Sequence, residues 1–225
     1  MKVLLRGFLA GMAISIGGWL YLASRSASVS LVLPAFLFSL GLMSICAFDF
    51  HLYTGRVCYL FSNNEVSFGK RCLKLALALF GNLLGCLVFG YLCRFLFKPW
   101  STYSFNVLEG MVNTKLTYHW YEMLLRSFLC GIMVFIAVDG YKKIEGFGRF
   151  FIIALAIGGF IIMGFEHSIA NMFYFFCNNT VSGKMALYLL LCVIGNSIGG
   201  LFLPLIYLLI HKFEKKEIEE EKEGN

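Results

Sequence analysis

Glu166, His167 and Ser168 sit together inside an apolar run that extends from Phe150 to about Cys177. A titratable side chain at the centre of a bilayer costs about 2.5–3.5 kcal/mol on insertion scales. A carboxylate beside an imidazole there calls for a polar cavity, an ion or proton path, or a partner within a helix bundle. A second polar break, Asp49-Phe50-His51-Leu52-Tyr53-Thr54-Gly55-Arg56, interrupts another apolar stretch early in the chain. Interrupted hydrophobic segments in corresponding halves point to a transport site near the membrane midplane. Backbone groups freed at such breaks cannot face lipid. The half-helices that restart there aim N–H groups and a positive dipole end at the midplane, which favours an anion. Thr54 and Ser168 are residue types that cap helix starts and are expected to cap these two.

The elements that must hold these residues are apolar helices. The 225 residues are 59% hydrophobic and only 14% charged, with a mean hydropathy of +0.77, as in a polytopic membrane protein. At about 20 residues per crossing, the chain accommodates spans at Val3–Ala23, Leu31–Phe48, Cys72–Phe97, Tyr121–Val138, Phe150–Phe176 (interrupted) and Met185–His211. The first is expected to be a retained helix rather than a signal peptide, because it runs on through Gly17-Gly18-Trp19-Leu20 and further spans follow. With an inner N-terminus, twelve Lys and Arg fall in inner segments and five in outer ones. That distribution obeys the positive-inside rule and predicts a multi-pass protein of the cell membrane with both termini cytoplasmic. Membrane lipid is therefore a partner, and no aromatic-basic module suggests nucleic acid. The eight cysteines are scattered without CxxC or nearby His, so neither a disulfide framework nor a metal site is expected. No nucleophile constellation suggests an enzyme, and no cofactor is expected.

Two strings recur in order. Leu4–Gly11 reads against Leu124–Gly131, and Phe80–Gly85 against Ile194–Gly199, at offsets of 120 and 114 residues. Each half carries three spans, an odd number, so the second half enters the membrane from the opposite face. The expected fold is all-α: six transmembrane helices as an inverted 3+3 repeat, in one domain over residues 1–211 with halves at about 1–98 and 115–211. A charged cytoplasmic tail follows at 212–225. Asn82 and Asn196 read as hydrogen-bond links between helices, and the glycines around them as close-packing positions.

The string Phe165-Glu166-His167-Ser168-Ile169-Ala170-Asn171-Met172-Phe173 resembles the signature of the formate/nitrite transporter family. Supporting strings are Arg6–Gly11, Leu52-Tyr53-Thr54-Gly55, Gly81–Gly85, Lys115, Cys130–Val138 and Gly195–Gly200. The resemblance implies a homopentamer whose subunits each hold an aquaporin-like pore with the second and fifth helices broken. It also implies passage of small monovalent anions or their conjugate acids: formate, nitrite, hydrosulfide, short carboxylates. By motif position, Thr54 faces His167 in a central chamber with Asn171 close by, and Lys115 lies at the outer vestibule in the loop before the fourth span. Two apolar constrictions fall at Leu52, Tyr53 and Val134 on one side, and at Phe38, Leu42 and Phe160 on the other.

The chain departs from the family pattern at His51, Tyr53, Gly131 and Asp139, and a gating helix before the first span is expected to be missing. In the mechanism that follows, Lys115 concentrates the anion. A dry slit rejects the bare charge, and falling dielectric favours the protonated acid. His167 either relays the proton or hydrogen-bonds the passing acid. The alternative is a pore for neutral solutes such as water or glycerol, but none of the three prolines (Pro34, Pro99, Pro204) lies at a break.

Overall fold

The computed structural model describes residues 1–27, 30–61 and 66–223, with side chains through residue 220. Every element among them is an α-helix: α1 Lys2–Ala27, α2 Val32–Phe38, α3 Leu40–Ala47, α4 Tyr53–Val57, α5 Phe68–Phe97, α6 Thr102–Thr117, α7 Trp120–Lys143, α8 Gly148–Ile162, α9 Ser168–Cys177 and α10 Gly183–Glu223. Four of these, α1, α5, α7 and α10, are long and apolar enough to cross a membrane. The two predicted interruptions lie at 48–52, between α3 and α4, and at 163–167, between α8 and α9. Helices α2 and α3 are nearly continuous through Ser39, whose backbone stays in the right-handed helical region.

Both breaks are built the same way. Each preceding helix ends with a left-handed residue, Asp49 (φ 51°) in the first and Gly164 (φ 69°) in the second. The next N–H then reaches back to close the helix end, Phe50 to Ile45 O at 3.0 Å and Phe165 to Phe160 O at 2.9 Å. One residue further, His51 N–H donates to Arg6 O and Glu166 N–H to Arg126 O, at 3.1 and 3.3 Å.

An asparagine then stitches each gap. Asn82 Oδ1 accepts from Tyr53 N–H at 2.9 Å, while its Nδ2 donates to Gly7 O and His51 O at 2.8 and 3.0 Å. Asn196 repeats the set: Oδ1 accepts from Ser168 N–H at 2.8 Å, and Nδ2 donates to Ser127 O and Glu166 O at 2.8 and 2.9 Å. The helices that carry these asparagines pack without side chains between the backbones. A Cβ at Gly85 would land on Phe8 O, and one at Gly199 on Phe128 O, so only glycine permits that approach.

Several expectations need correction. The stretch before the fourth span is not a loop but α6, whose buried residues Ser104, Leu108, Val112 and Lys115 recur at helical spacing. At 16 residues with a polar sequence, α6 is too short to read as a span and resembles a loop in one dimension. The helix starts at the breaks are not capped by Thr54 and Ser168. The cap positions are Leu52, which makes no side-chain bond, and His167; the foreign asparagines take the first free N–H groups instead. The helix that carries the last expected span runs on past His211 to Glu223, with i,i+4 pairs such as Lys216–Glu220 at 3.3 Å in the charged tail. Gly224 and Asn225 of the predicted tail lie outside the described residues.

The clamps carry a measurable load. Asn196→Leu removes the partners of one N–H and two carbonyls, each unsatisfied buried group costing about 1–3 kcal/mol. The variant is expected to melt well below wild type in detergent, measured by intrinsic fluorescence, and Asn82→Leu is expected to behave alike.

Candidate functional site

His167 holds the start of α9 in extended backbone (φ −104°, ψ 119°), and its Nδ1 accepts the Ala170 N–H at 3.2 Å. An amide N–H can only donate, so Nδ1 carries no proton in this arrangement. The neutral ring must then bear its proton on Nε2, which lies 2.9 Å from Thr54 Oγ1. Thr54 therefore accepts from the histidine and keeps its own hydroxyl proton for another acceptor. Both residues are buried. The His167 ring stacks on Phe160 with centroids 6.0 Å apart, and Phe160 meets Phe38 edge-on at 6.2 Å. Ser168, beside it, buries its Oγ without a hydrogen-bond partner among the described residues.

One residue earlier, Glu166 completes a buried ion pair. Its Oε2 accepts from Lys115 Nζ at 2.5 Å and from Asn171 Nδ2 at 2.9 Å. Side-chain exposure is 11% for the lysine and 3% for the glutamate. Lys115 sits in the last turn of α6, where the negative end of the helix dipole also suits a cation. Lys115 therefore presents its charge to the first cavity as half of a dipole rather than as a lone cation. The Glu166 carboxylate holds side chains, while its backbone is held by Asn196 and Arg126. No local spacing links Lys115 to Glu166; the one available signal is that a buried carboxylate requires a cation somewhere.

Two cavities approach this centre. One, of about 310 Å³, is lined by Phe38, Lys115, Phe160, Glu166, His167 and Asn171, among others. The second, of about 390 Å³, is lined by Leu42, Asp49, His51, Leu52, Arg56 and Lys142, among others. They open at opposite ends of α1. Val3 lines the second and Tyr21 the first, roughly 27 Å apart at helical rise. The second lies on the face carrying both termini, called here the terminal face. Asp49 and His51, left without a role by sequence, therefore line its mouth.

Phe38 and Phe160 stand together on the first cavity. Leu42, grouped with them by sequence, lines the terminal-face cavity with Leu52. It lies one turn further along a nearly continuous α2–α3, and one turn carries it past the Phe38 layer. Tyr53 turns its hydroxyl to Ser197 Oγ of α10, 2.8 Å away, rather than into a slit. Val134 is buried, with 1% exposure. Among the described residues, no group of His, Cys, Asp and Glu is placed to hold a metal ion.

Comparison with known proteins gives a consistent picture. A family model described as formate/nitrite transporter matches residues 1–210. A formate-nitrite transporter of Plasmodium falciparum (isolate 3D7) is 26% identical over 252 residues, covering 100% of this chain and 81% of that protein. The formate channel FocA of Escherichia coli (strain K12) is 27% identical over 186 residues, covering 77% of this chain and 65% of that protein. In fold, the chain matches a solved FNT family ion channel with a TM-score of 0.84 at 21% identity, covering 93% of this chain and 90% of that one. It matches a pentameric formate channel with formate bound at 0.81 and 22% identity, covering 93% and 96%.

The ion pair makes its own prediction. Removing one partner of a buried pair costs about 3–5 kcal/mol because the other charge is stranded. Glu166→Gln and Lys115→Met should each lower thermal stability more than the double variant does, a reversal readable in a double-mutant cycle by thermal melting in detergent.

Proposed function

Because the chain belongs to the formate/nitrite transporter family, we propose that it passes small monovalent anions or their conjugate acids across the cell membrane, formate and nitrite first, hydrosulfide and short carboxylates next. In this reading residues 1–211 form six spans in an inverted 3+3, aquaporin-like arrangement, with the second and fifth broken and both termini cytoplasmic. Five copies assemble, each with its own pore. The shared fold with a pentameric formate channel supports the assembly. The recurring hydrogen bonds at the two breaks support the repeat.

The observation that carries the reading is the Thr54–His167 hydrogen bond. It is buried where two half-helices meet, with a cavity opening towards it from each end of the bundle. An isolated charge pays many kcal/mol to enter a medium of low dielectric, so an anion does not pass bare between the apolar side chains Phe38 and Phe160 on the first cavity and Leu42 and Leu52 on the second. The protonated acid does so at far lower cost, because neutralisation removes most of the desolvation penalty. Lys115 spends one of its three N–H donors on Glu166 and has two left for an anion in the outer cavity. Asn171 is tied to the same carboxylate. At the centre the acid meets the Thr54 hydroxyl, which His167 holds as a donor. Passage is proton-linked because the acid carries its own proton.

His167 acts in this scheme as a fixed hydrogen-bond donor rather than a relay. Charging the ring would put a proton on Nδ1 and break the bond that starts α9. Flux of formate, nitrite, lactate and hydrosulfide into proteoliposomes, followed by a pH-sensitive dye, tests the whole reading. Anion-linked proton uptake is expected, with little glycerol flux; the converse would indicate a neutral-solute pore. His167→Asn should keep assembly and the wild-type pH profile while slowing flux about tenfold, the effect of one lost hydrogen bond. A flat pH profile in that variant would assign the proton relay to His167 instead.

A further inference from the structure

The two cavities differ in charge although the breaks that border them share one backbone design. The outer cavity has one cation and one carboxylate, Lys115 and Glu166, paired and buried. The terminal-face cavity is lined by four cations, Arg56, Arg71, Lys74 and Lys142, and a single carboxylate, Asp49, among the described residues. Asp49 is shared between two guanidinium groups: Oδ2 with Arg6 and Oδ1 with Arg56, the latter at 3.0 Å. This is how a free carboxylate would be held by the same pair.

The position of Asp49 is unusual for the residue it carries. Its equivalent at the second break is Gly164, which the left-handed backbone favours, and there Arg126 donates to the backbone carbonyl of Gly164 at 2.9 Å. In the first half a side chain stands where the backbone favours glycine, and its carboxylate occupies the arginines. The three side chains are 66%, 49% and 40% exposed for Asp49, Arg6 and Arg56. Solvated ion pairs of this kind are weak and exchange readily, in contrast to the buried Lys115–Glu166 pair.

Resting on the anion-transport reading above, we propose that Arg6 and Arg56 form an anion-receiving site at the terminal-face mouth, with the Asp49 carboxylate as its resident occupant. The permeating carboxylate displaces Asp49 from the arginines, is held within the field of Lys74 and Lys142, and passes on towards Leu42 and Leu52. Asp49 thereby sets the anion concentration at which the mouth fills.

The test uses the full-length protein in membrane vesicles of both orientations, sided by protease access to a C-terminal tag, with labelled formate supplied at either face. Asp49→Gly removes the carboxylate and suits the backbone; Asp49→Asn is the second variant. With formate at the terminal face, half-saturation should fall about two- to fivefold in either variant and rise by a similar factor in Arg56→Gln, the range expected for exposed charge pairs. Unchanged or raised half-saturation in the Asp49 variants, with wild-type flux intact, would overturn the site while leaving the transport reading standing. Loss of assembly in both variants would make Asp49 a structural clamp and overturn it too. Absence of small-anion flux in the wild type would overturn the transport reading and this site with it.

Discussion

A helix interrupted inside a membrane must find partners for the backbone groups it releases, because lipid offers none. In this protein two asparagine side chains meet that demand. Each has one acceptor and two donors, and each spends all three on backbone: one N–H at the restarting half-helix, one carbonyl at the break, one carbonyl on the neighbouring long helix. The glycine contacts bring those long helices close enough for the asparagine to reach. The central site follows from this arrangement, since the two stitched half-helices converge on the point where Thr54 meets His167.

The scaffold is repeated, whereas the chemistry set on it is not. Leu52 and His167 hold equivalent cap positions, and only the second brings a ring nitrogen to cap its helix and orient the threonine. His51 and Glu166 are likewise equivalent, both with carbonyls held by asparagine. One opens on a basic mouth, whereas the other pairs with a buried lysine. Asp49 and Gly164 complete the set. Duplicated backbone geometry allows divergent side chains because the stitching bonds go to main-chain atoms, leaving the side chains at the breaks free to differ.

Most of the arrangement was legible in the residue pattern. The polar interruptions at Asp49–Arg56 and Glu166–Ser168 showed because charge and apolar length conflict there, and the role of Asn82 and Asn196 followed from their glycine-flanked setting. Thr54, His167, Lys115 and Asn171 were identified through a resemblance; Lys115, His167 and Asn171 line the first cavity, and Thr54 bonds His167 at the half-helix junction. The helix caps were misjudged because side-chain type predicts a local cap, while the actual partners come from helices far away in sequence. Leu42 and Phe38 border different cavities, because a motif gives order along a helix but not the cavity that each side chain faces.

Composition and spacing by themselves determined that this is an all-α, membrane-like protein with several apolar helices and two polar interruptions between them. Those properties depend on local hydrophobic length and on glycine and asparagine strings that remain visible in one dimension. Only the tertiary structure decided the electrostatics. Lys115 is neutralised by Glu166, which lies 51 residues away, and Asp49 bridges arginines from α1 and α4. Charge interactions depend on distance in space and on burial, and neither is set until the helices have packed.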